Sequence, residues 1–308
     1  MLKKSLKVAA ALLCTLLLLP ISIGSAAKKP TVTVTTTFLA DMVRELAGDA
    51  VDVETLMPAG SDPHLYQPKA QDVQKVAKAD LVLYHGLHFE GKMVDVLEKY
   101  GTAVTKDFDK DAINEMEEDN TSVVDPHFWF DIKLYKQATQ TASNTLQEKY
   151  PELKEQIAKN TTAYLAKLDE LAKWVEKELS VLSKEQRYLV TPHDAFNYFA
   201  RSYGFTVYAP QGVSTNSEVS NQQIGETVDF IIKHKIPAIF VESTTNPERM
   251  KKLQEAVKAK GGKVDVVNNE DEALFSDSLA PKGQNGDTYI SMYQHNVKVI
   301  VKYLSQAQ

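Results

Sequence analysis

Residues 152–182 keep a helical pattern with no glycine to interrupt it. Tyr164, Leu165, Leu168, Leu171, Val175 and Leu179 fall on one face, mostly at steps of three and four. Helices in globular proteins average about 10–14 residues. One this long, near the middle of the chain, predicts a rigid connector between two bodies. Strand-like and helix-like segments alternate on both sides of it. Before it, strands are expected over residues 31–37, 51–56 and 80–84, and helices over 38–47, 71–78 and 92–100. After it, strands are expected over 188–191, 205–208, 238–241 and 263–267. The helices between and after them cover 195–203, 218–235, 247–258 and 288–304. Such alternation marks parallel sheets covered by helices. The expected fold is α/β, with two lobes, each a mostly parallel sheet flanked by helices, joined by one long connecting helix. The boundaries read as residues 28–150, 151–183 and 184–308.

The first 27 residues read differently. Lys3, Lys4 and Lys7 precede an apolar run over residues 8–19 that Pro20 breaks, and Gly24, Ser25, Ala26 and Ala27 follow. A basic start, a short apolar core and small residues make an export signal, cut near Ala26 or Ala27. The run is too short to span a bilayer comfortably. Cys14, the only cysteine, lies within it and follows Leu13, not a small residue, so it is expected to leave with the signal. The mature chain then has no thiol, and any metal site must use nitrogen and oxygen donors. A net charge of −6 gives no electrostatic reason to expect nucleic acid as a partner. Residues 107–120, acidic and weakly periodic, read as a solvated loop.

Three of the seven histidines share a setting. His64 lies in Gly60-Ser61-Asp62-Pro63-His64, His127 in Asp125-Pro126-His127-Phe128-Trp129-Phe130-Asp131, and His193 in Thr191-Pro192-His193-Asp194. Each follows a proline, and each falls at or near a strand-to-helix junction, where α/β folds bind ligands. Proline restrains the backbone beside it and helps to pre-position a ligating imidazole. One such histidine is more often structural than a ligand; three divided between two lobes point to a shared metal ion. Asp62, Asp125 and Asp194 could fix ring tautomers or cap helices, and capping is the expectation for Asp194. His85 and His88 could line the cleft. His234 reads as a helix-end residue and His295 as packing or surface. For a carboxylate ligand, Asp277 and Asp287 are the candidates, with Asp287 also suited to capping the last helix. Glu242, at a strand end, is expected to hold the cleft together.

These segments resemble the zinc and manganese solute-binding proteins of ABC importers. The likeness runs through Met57-Pro58, Ser61-Asp62-Pro63-His64-Leu65-Tyr66 and residues 80–88. It continues through residues 125–131, residues 191–199, Gln211-Gly212-Val213-Ser214-Thr215, Ile239-Phe240-Val241-Glu242-Ser243 and Phe275-Ser276-Asp277-Ser278. The resemblance implies His64, His127, His193 and Asp277 as metal ligands, and it selects Asp277 over Asp287. The pattern is closest to the spirochaete-type receptor with three histidines and one aspartate. It departs from the many manganese receptors with Glu in place of His193. It departs also from zinc receptors with a His-rich loop, since residues 107–120 hold no histidine.

The function implied is capture of one Zn²⁺ or Mn²⁺ ion outside the cytoplasm by a monomer, and delivery to a membrane permease. Three imidazoles and a carboxylate suit tetrahedral Zn²⁺; a bidentate aspartate would make room for Mn²⁺, and the affinity order puts zinc slightly ahead. A secreted zinc hydrolase is the rival, with Glu242 or Asp277 as base, but no His-Glu-x-x-His helix is present. An adhesin or a binder of larger metal chelates or haem has no support in the residues.

Overall fold

The computed structural model describes residues 29–118 and 121–306. The expected export signal, Cys14 included, lies outside the described residues. The first lobe opens with β1 (Thr31–Val34) and α1 (Thr37–Ala47). It continues with β2 (Asp52–Thr55), α2 (Ala70–Lys78), β3 (Leu81–Tyr84), α3 (Val94–Tyr100) and β4 (Thr102–Ala103). All strand pairs are parallel, in the order β2-β1-β3-β4. Val32, Thr33 and Val34 of β1 are all buried, as expected of a central strand covered on both faces.

Residues 107–120 depart from the expected solvated loop. A single 3-10 turn (Lys110–Ala112) leads into β5 (Glu115–Glu118), which pairs antiparallel with β6 (Thr121–Val124). Met116 lies opposite Val123 and Glu117 opposite Ser122, so the acidic side chains alternate with an apolar pair. Charge hides a period-two pattern here that is too short to stand out.

The chain then forms α4 (Ile132–Lys149) and the long α5 (Lys154–Leu179). Asp131 starts α4 by accepting hydrogen bonds from the backbone N–H groups of Lys133 and Leu134. The buried stripe of α5 is Ile157, Thr161, Tyr164, Leu168, Leu171, Val175 and Leu179. The helix packs against α1 and α4. It also meets the last helix, α9 (Tyr289–Leu304), and so touches both lobes.

The second lobe comprises β7 (Tyr188–Val190), α6 (Asn197–Tyr203), β8 (Thr206–Tyr208) and α7 (Asn221–His234). It ends with β9 (Ala238–Phe240), α8 (Glu248–Ala259), β10 (Asp265–Val267) and α9 (Tyr289–Leu304). β7 pairs with β8 and β9 with β10, both parallel, and β7 lies beside β9. Gly204 closes α6 in the left-handed conformation, at φ 68°. The cap of α9 is Thr288, whose hydroxyl accepts from the Ser291 N–H; Asp287, the expected cap, instead accepts from the Gly283 N–H at 2.7 Å.

One apolar cluster crosses the two lobes, from Val32 through Leu168 to Ile300, beside a smaller cluster within each lobe. Polar contacts cross the same boundary. Tyr289 donates through its hydroxyl to the Trp129 carbonyl, and Tyr293 to that of Phe130, both at 2.7 Å. The Tyr289 N–H donates to Asp41 at 2.9 Å, and the Tyr135 and Tyr289 rings stack with centroids 3.6 Å apart. Burial pushes the Asp41 carboxyl up to about 6. A shared core predicts shared unfolding. Leu168→Ala, at a fully buried position of α5, should cost about 2–5 kcal/mol. In denaturant titration followed by far-UV circular dichroism and by the fluorescence of Trp129 and Trp174, both signals should shift together as one transition. Two separated transitions would show lobes that fold independently.

Candidate metal centre

Each candidate ligand is held by a short local device. Asp62 accepts the His64 backbone N–H at 3.0 Å, and Asp125 accepts that of His127 at the same distance. The two Asp-Pro-His segments therefore make the same aspartate turn, which fixes the backbone two residues on. In Thr191-Pro192-His193 the hydroxyl takes that place, donating to the His193 carbonyl at 2.9 Å. The turns are tied to the opposite lobe. Thr215 donates to the second Asp62 oxygen at 2.6 Å, and Tyr198 donates to the Asp125 carbonyl at 3.0 Å.

Asp277 is held from both sides as well. Trp129 donates its indole N–H to the Ser276 carbonyl at 2.9 Å, the Gly60 N–H donates to the Ser278 hydroxyl at 2.9 Å, and the Leu279 N–H donates to Thr37 at 2.9 Å. These contacts bring His64, His127, His193 and Asp277 together, all buried, with one donor atom from each lying within 4.8 Å of the others.

The spacings suit an ion. His64 Nε2 and His127 Nε2 are 3.3 Å apart, His127 Nε2 is 3.4 Å from Asp277 Oδ1, and His193 Nε2 is 3.2 Å from Asp277 Oδ2. Two donors each at about 2.0–2.1 Å from a tetrahedral Zn²⁺ stand about 3.3–3.4 Å apart. His64 Nε2 to Asp277 Oδ2 is longer, at 3.9 Å. The contacts to Asp277 have ion-pair distances without hydrogen-bond alignment. Both its oxygens, and His193 Nε2, are buried with no hydrogen-bond partner. Unpaired buried charge is costly, and a cation at the centre removes the cost.

A further layer orients the rings. His127 Nδ1 bonds Asp125 Oδ1 at 2.7 Å, and His193 Nδ1 bonds Glu242 Oε2 at 2.5 Å. Each pair leaves Nε2 facing the centre. Glu242 thus does more than the expected cleft-holding. It reaches His193 because β7 and β9 are neighbours and both residues follow the carboxyl ends of those strands, where each makes an isolated parallel bridge. Asp62 orients the His64 backbone, not its ring. Asp194 does not cap α6; its carbonyl accepts from the Asn197 side chain at 3.3 Å, and burial pushes its carboxyl up to about 6.

The remaining histidines lie elsewhere. His85 is buried behind the site and its Nε2 shares a 2.7 Å hydrogen bond with the Thr36 hydroxyl. His88 is exposed. His234 packs on Tyr188 and Phe230, and His295 bonds the Asn285 side chain and the Ala273 carbonyl. Asp287 is not part of the cluster.

Charge is distributed unevenly in the metal-free cluster. Burial works against the His127 and His193 cations. It is outweighed at His127 by Asp125 and Asp277, which raise the ring to about 9, and at His193 by Glu242 and Asp277, which raise it well above its usual range. For Asp277, burial is likewise overcome by His193 and His127, and its carboxyl falls well below the ordinary value. His64 behaves oppositely: burial, reinforced by His127 and His193, lowers it to about 3 against the pull of Asp277. A proton on His127 Nε2 then makes the 3.3 Å contact a hydrogen bond accepted by neutral His64.

Comparison with known proteins gives the family. The family model described as zinc-uptake complex component A, periplasmic, matches residues 32–303. The chain belongs to that family. It is 38% identical over 285 residues to the manganese-binding lipoprotein MntA of Bacillus subtilis (strain 168), covering 91% of each chain. It is also 38% identical over 288 residues to the zinc-binding protein TroA of Treponema pallidum (strain Nichols), covering 92% of this chain and 91% of that one. A solved TroA structure with 66% identity superposes with a TM-score of 0.89, covering 90% of this chain and 100% of the other. The periplasmic zinc-binding TroA from Treponema pallidum superposes at 0.85, covering 90% and 99%.

Two predictions follow from the charges and the ring partners. At pH 7 the metal-free His127 and His193 carry protons that an entering ion must displace, whereas His64 and Asp277 carry none. Zn²⁺ binding should therefore release about two protons per ion, read by calorimetry in buffers of different ionisation enthalpy. Affinity should fall as pH drops from 9 towards 6. Release of no protons would contradict the assigned charges. Glu242→Gln should weaken Zn²⁺ binding about 10–100-fold in chelator competition while leaving one ion per chain.

Proposed function

We propose that this chain is an exported receptor that holds one Zn²⁺ or Mn²⁺ ion through His64, His127, His193 and Asp277. It delivers the ion to the permease of an ABC importer. The observation that carries the reading is the Asp277 carboxylate, buried with both oxygens unbonded and facing three imidazole nitrogens. His64 and His127 belong to the first lobe, His193 and Asp277 to the second. Our boundaries remain residues 28–150, 151–183 and 184–308, and the working unit is a monomer. The site lies outside the cytoplasm, in a periplasm or at a cell surface, once the signal is cut near Ala26 or Ala27.

Zinc stands slightly ahead of manganese. Imidazole donors follow the affinity order that favours Zn²⁺, and the spacing fits tetrahedral geometry. Both Asp277 oxygens face the centre, which lets the site add a fifth donor and accept Mn²⁺. Relatives are named for each metal. A hydrolase is disfavoured, because Glu242 is tied to His193 Nδ1 and is not free to act as a base.

Stripped mature protein should bind one Zn²⁺ per chain under chelator control, and Zn²⁺ should displace Mn²⁺. His127→Ala should abolish stoichiometric binding without unfolding the chain. Absence of stoichiometric binding of either ion to the parent protein would overturn the reading.

A further inference from the structure

The segment between β3 and α3 is strained. Gly86, Leu87, His88 and Gly91 have positive φ, at 86°, 55°, 60° and 48°. Leu87 and His88 are consecutive and carry side chains, which that region disfavours. Such strain persists only where surrounding structure holds it, and it gathers at functional sites.

Glu90 does the holding. Its side chain is fully buried. One carboxylate oxygen accepts the His85 N–H at 2.6 Å and the Thr35 hydroxyl at 2.9 Å; the other accepts the Gly86 N–H at 3.4 Å. The carboxylate therefore closes the loop on its own start and fastens it to the end of β1. Among the described residues no cation is paired with it, and these donors offset burial only in part, since burial still pushes the carboxyl up to about 7.

The loop bears directly on two of the candidate ligands. The Phe89 ring meets His64 edge-on at 5.0 Å between centroids and His127 at 6.0 Å, with Trp129 behind it at 4.7 Å. On its other side Gly91 touches the His64 backbone so closely that a Cβ there would lie 2.7 Å from the His64 carbonyl oxygen. Phe89 and Gly91 flank Glu90 in sequence, so its anchorage sets where both contacts fall.

We propose that Glu90 is a positioning residue for the metal centre, fixing His64 and His127 through Phe89 and Gly91 without touching the ion. The role needs two acceptor oxygens on one side chain. A glutamine offers one acceptor oxygen for three donors and turns its amide N–H groups towards one of them. This rests on the metal-receptor reading above.

The test uses mature protein loaded with Co²⁺ or Zn²⁺. Glu90→Gln should still bind one ion per chain, but with an altered visible Co²⁺ spectrum and Zn²⁺ affinity weakened about tenfold or more. Val257→Ala, in the buried second-lobe cluster, serves as the control for lost stability. It should lower the melting temperature while keeping the parent spectrum and affinity. Gly91→Ala, whose Cβ would press on the His64 carbonyl, checks that this contact reaches the site; Thr35→Val, which removes one donor to Glu90, covers the case in which Glu90→Gln fails to fold and should change spectrum and affinity in the same direction. Parent-like spectrum and affinity in Glu90→Gln, in Gly91→Ala or, where Glu90→Gln does not fold, in Thr35→Val would overturn the proposal, as would equal changes in Val257→Ala. Failure of the parent protein to bind either ion would instead overturn the receptor reading, and is distinguishable from these.

Discussion

A carboxylate without a hydrogen bond, buried among imidazoles, is the constraint around which this molecule is arranged. Asp277 gains nothing from its position unless positive charge reaches it, whether as protons on His127 and His193 or as an ion between them. The segment around it is fixed from the other lobe: Trp129 donates to the Ser276 carbonyl, the Gly60 N–H to the Ser278 hydroxyl, and the Thr37 hydroxyl accepts the Leu279 N–H. These bonds hold the backbone that carries the carboxylate in the buried position. The surrounding carboxylates Asp125 and Glu242 add negative charge one ring further out, and so raise the basicity of the imidazoles they hold.

The same fastenings limit how the lobes move. The aromatic residues after His127 are bonded through their carbonyls to Tyr289 and Tyr293 of α9, and α5 runs behind both lobes as part of the core cluster that crosses them. Wide opening about a hinge would separate that core. An ion whose ligands come from both sides instead asks for small shifts of the ligand segments themselves. His64 and Asp277 lie on such segments, outside regular helix and strand. On the proposed function, release would require pulling donors apart against buried charge, a task suited to a partner that engages both lobes at once.

How much of this is legible in the sequence depends on distance along the chain. The alternation of strands and helices, and the long helix, are local periodicities, and they appear within a few residues of their expected positions. The three Pro-His segments are legible because each carries its own turn. Asp277 is separable from Asp287 only by resemblance, since both sit in polar loops with plausible roles. The Glu242–His193 pair spans 49 residues and depends on β7 lying beside β9, which no local pattern encodes. The β5–β6 hairpin is hidden by its acidic composition, and Thr288 takes the cap expected of Asp287 because its neighbour Ser291 completes the reciprocal bond.

Selectivity has to be argued from the ring partners as much as from the ligands. Three neutral imidazoles favour zinc over manganese by donor type alone. Each carboxylate placed behind an imidazole makes that ring a stronger donor, and this chain places one behind His127 and one behind His193. The effect strengthens binding of any divalent ion without reversing the order. A preference for manganese would have to come from geometry, through both Asp277 oxygens binding together and the imidazoles being held too far apart for a tight tetrahedron. The observed edges of 3.2–3.4 Å are already close to tetrahedral. The 3.9 Å separation of His64 from Asp277 Oδ2 is longer, and the short contacts divide between the two Asp277 oxygens. Among the candidate ligands, a shift of His64 towards Asp277 would close the tetrahedron, and its present distance would leave room for a further donor.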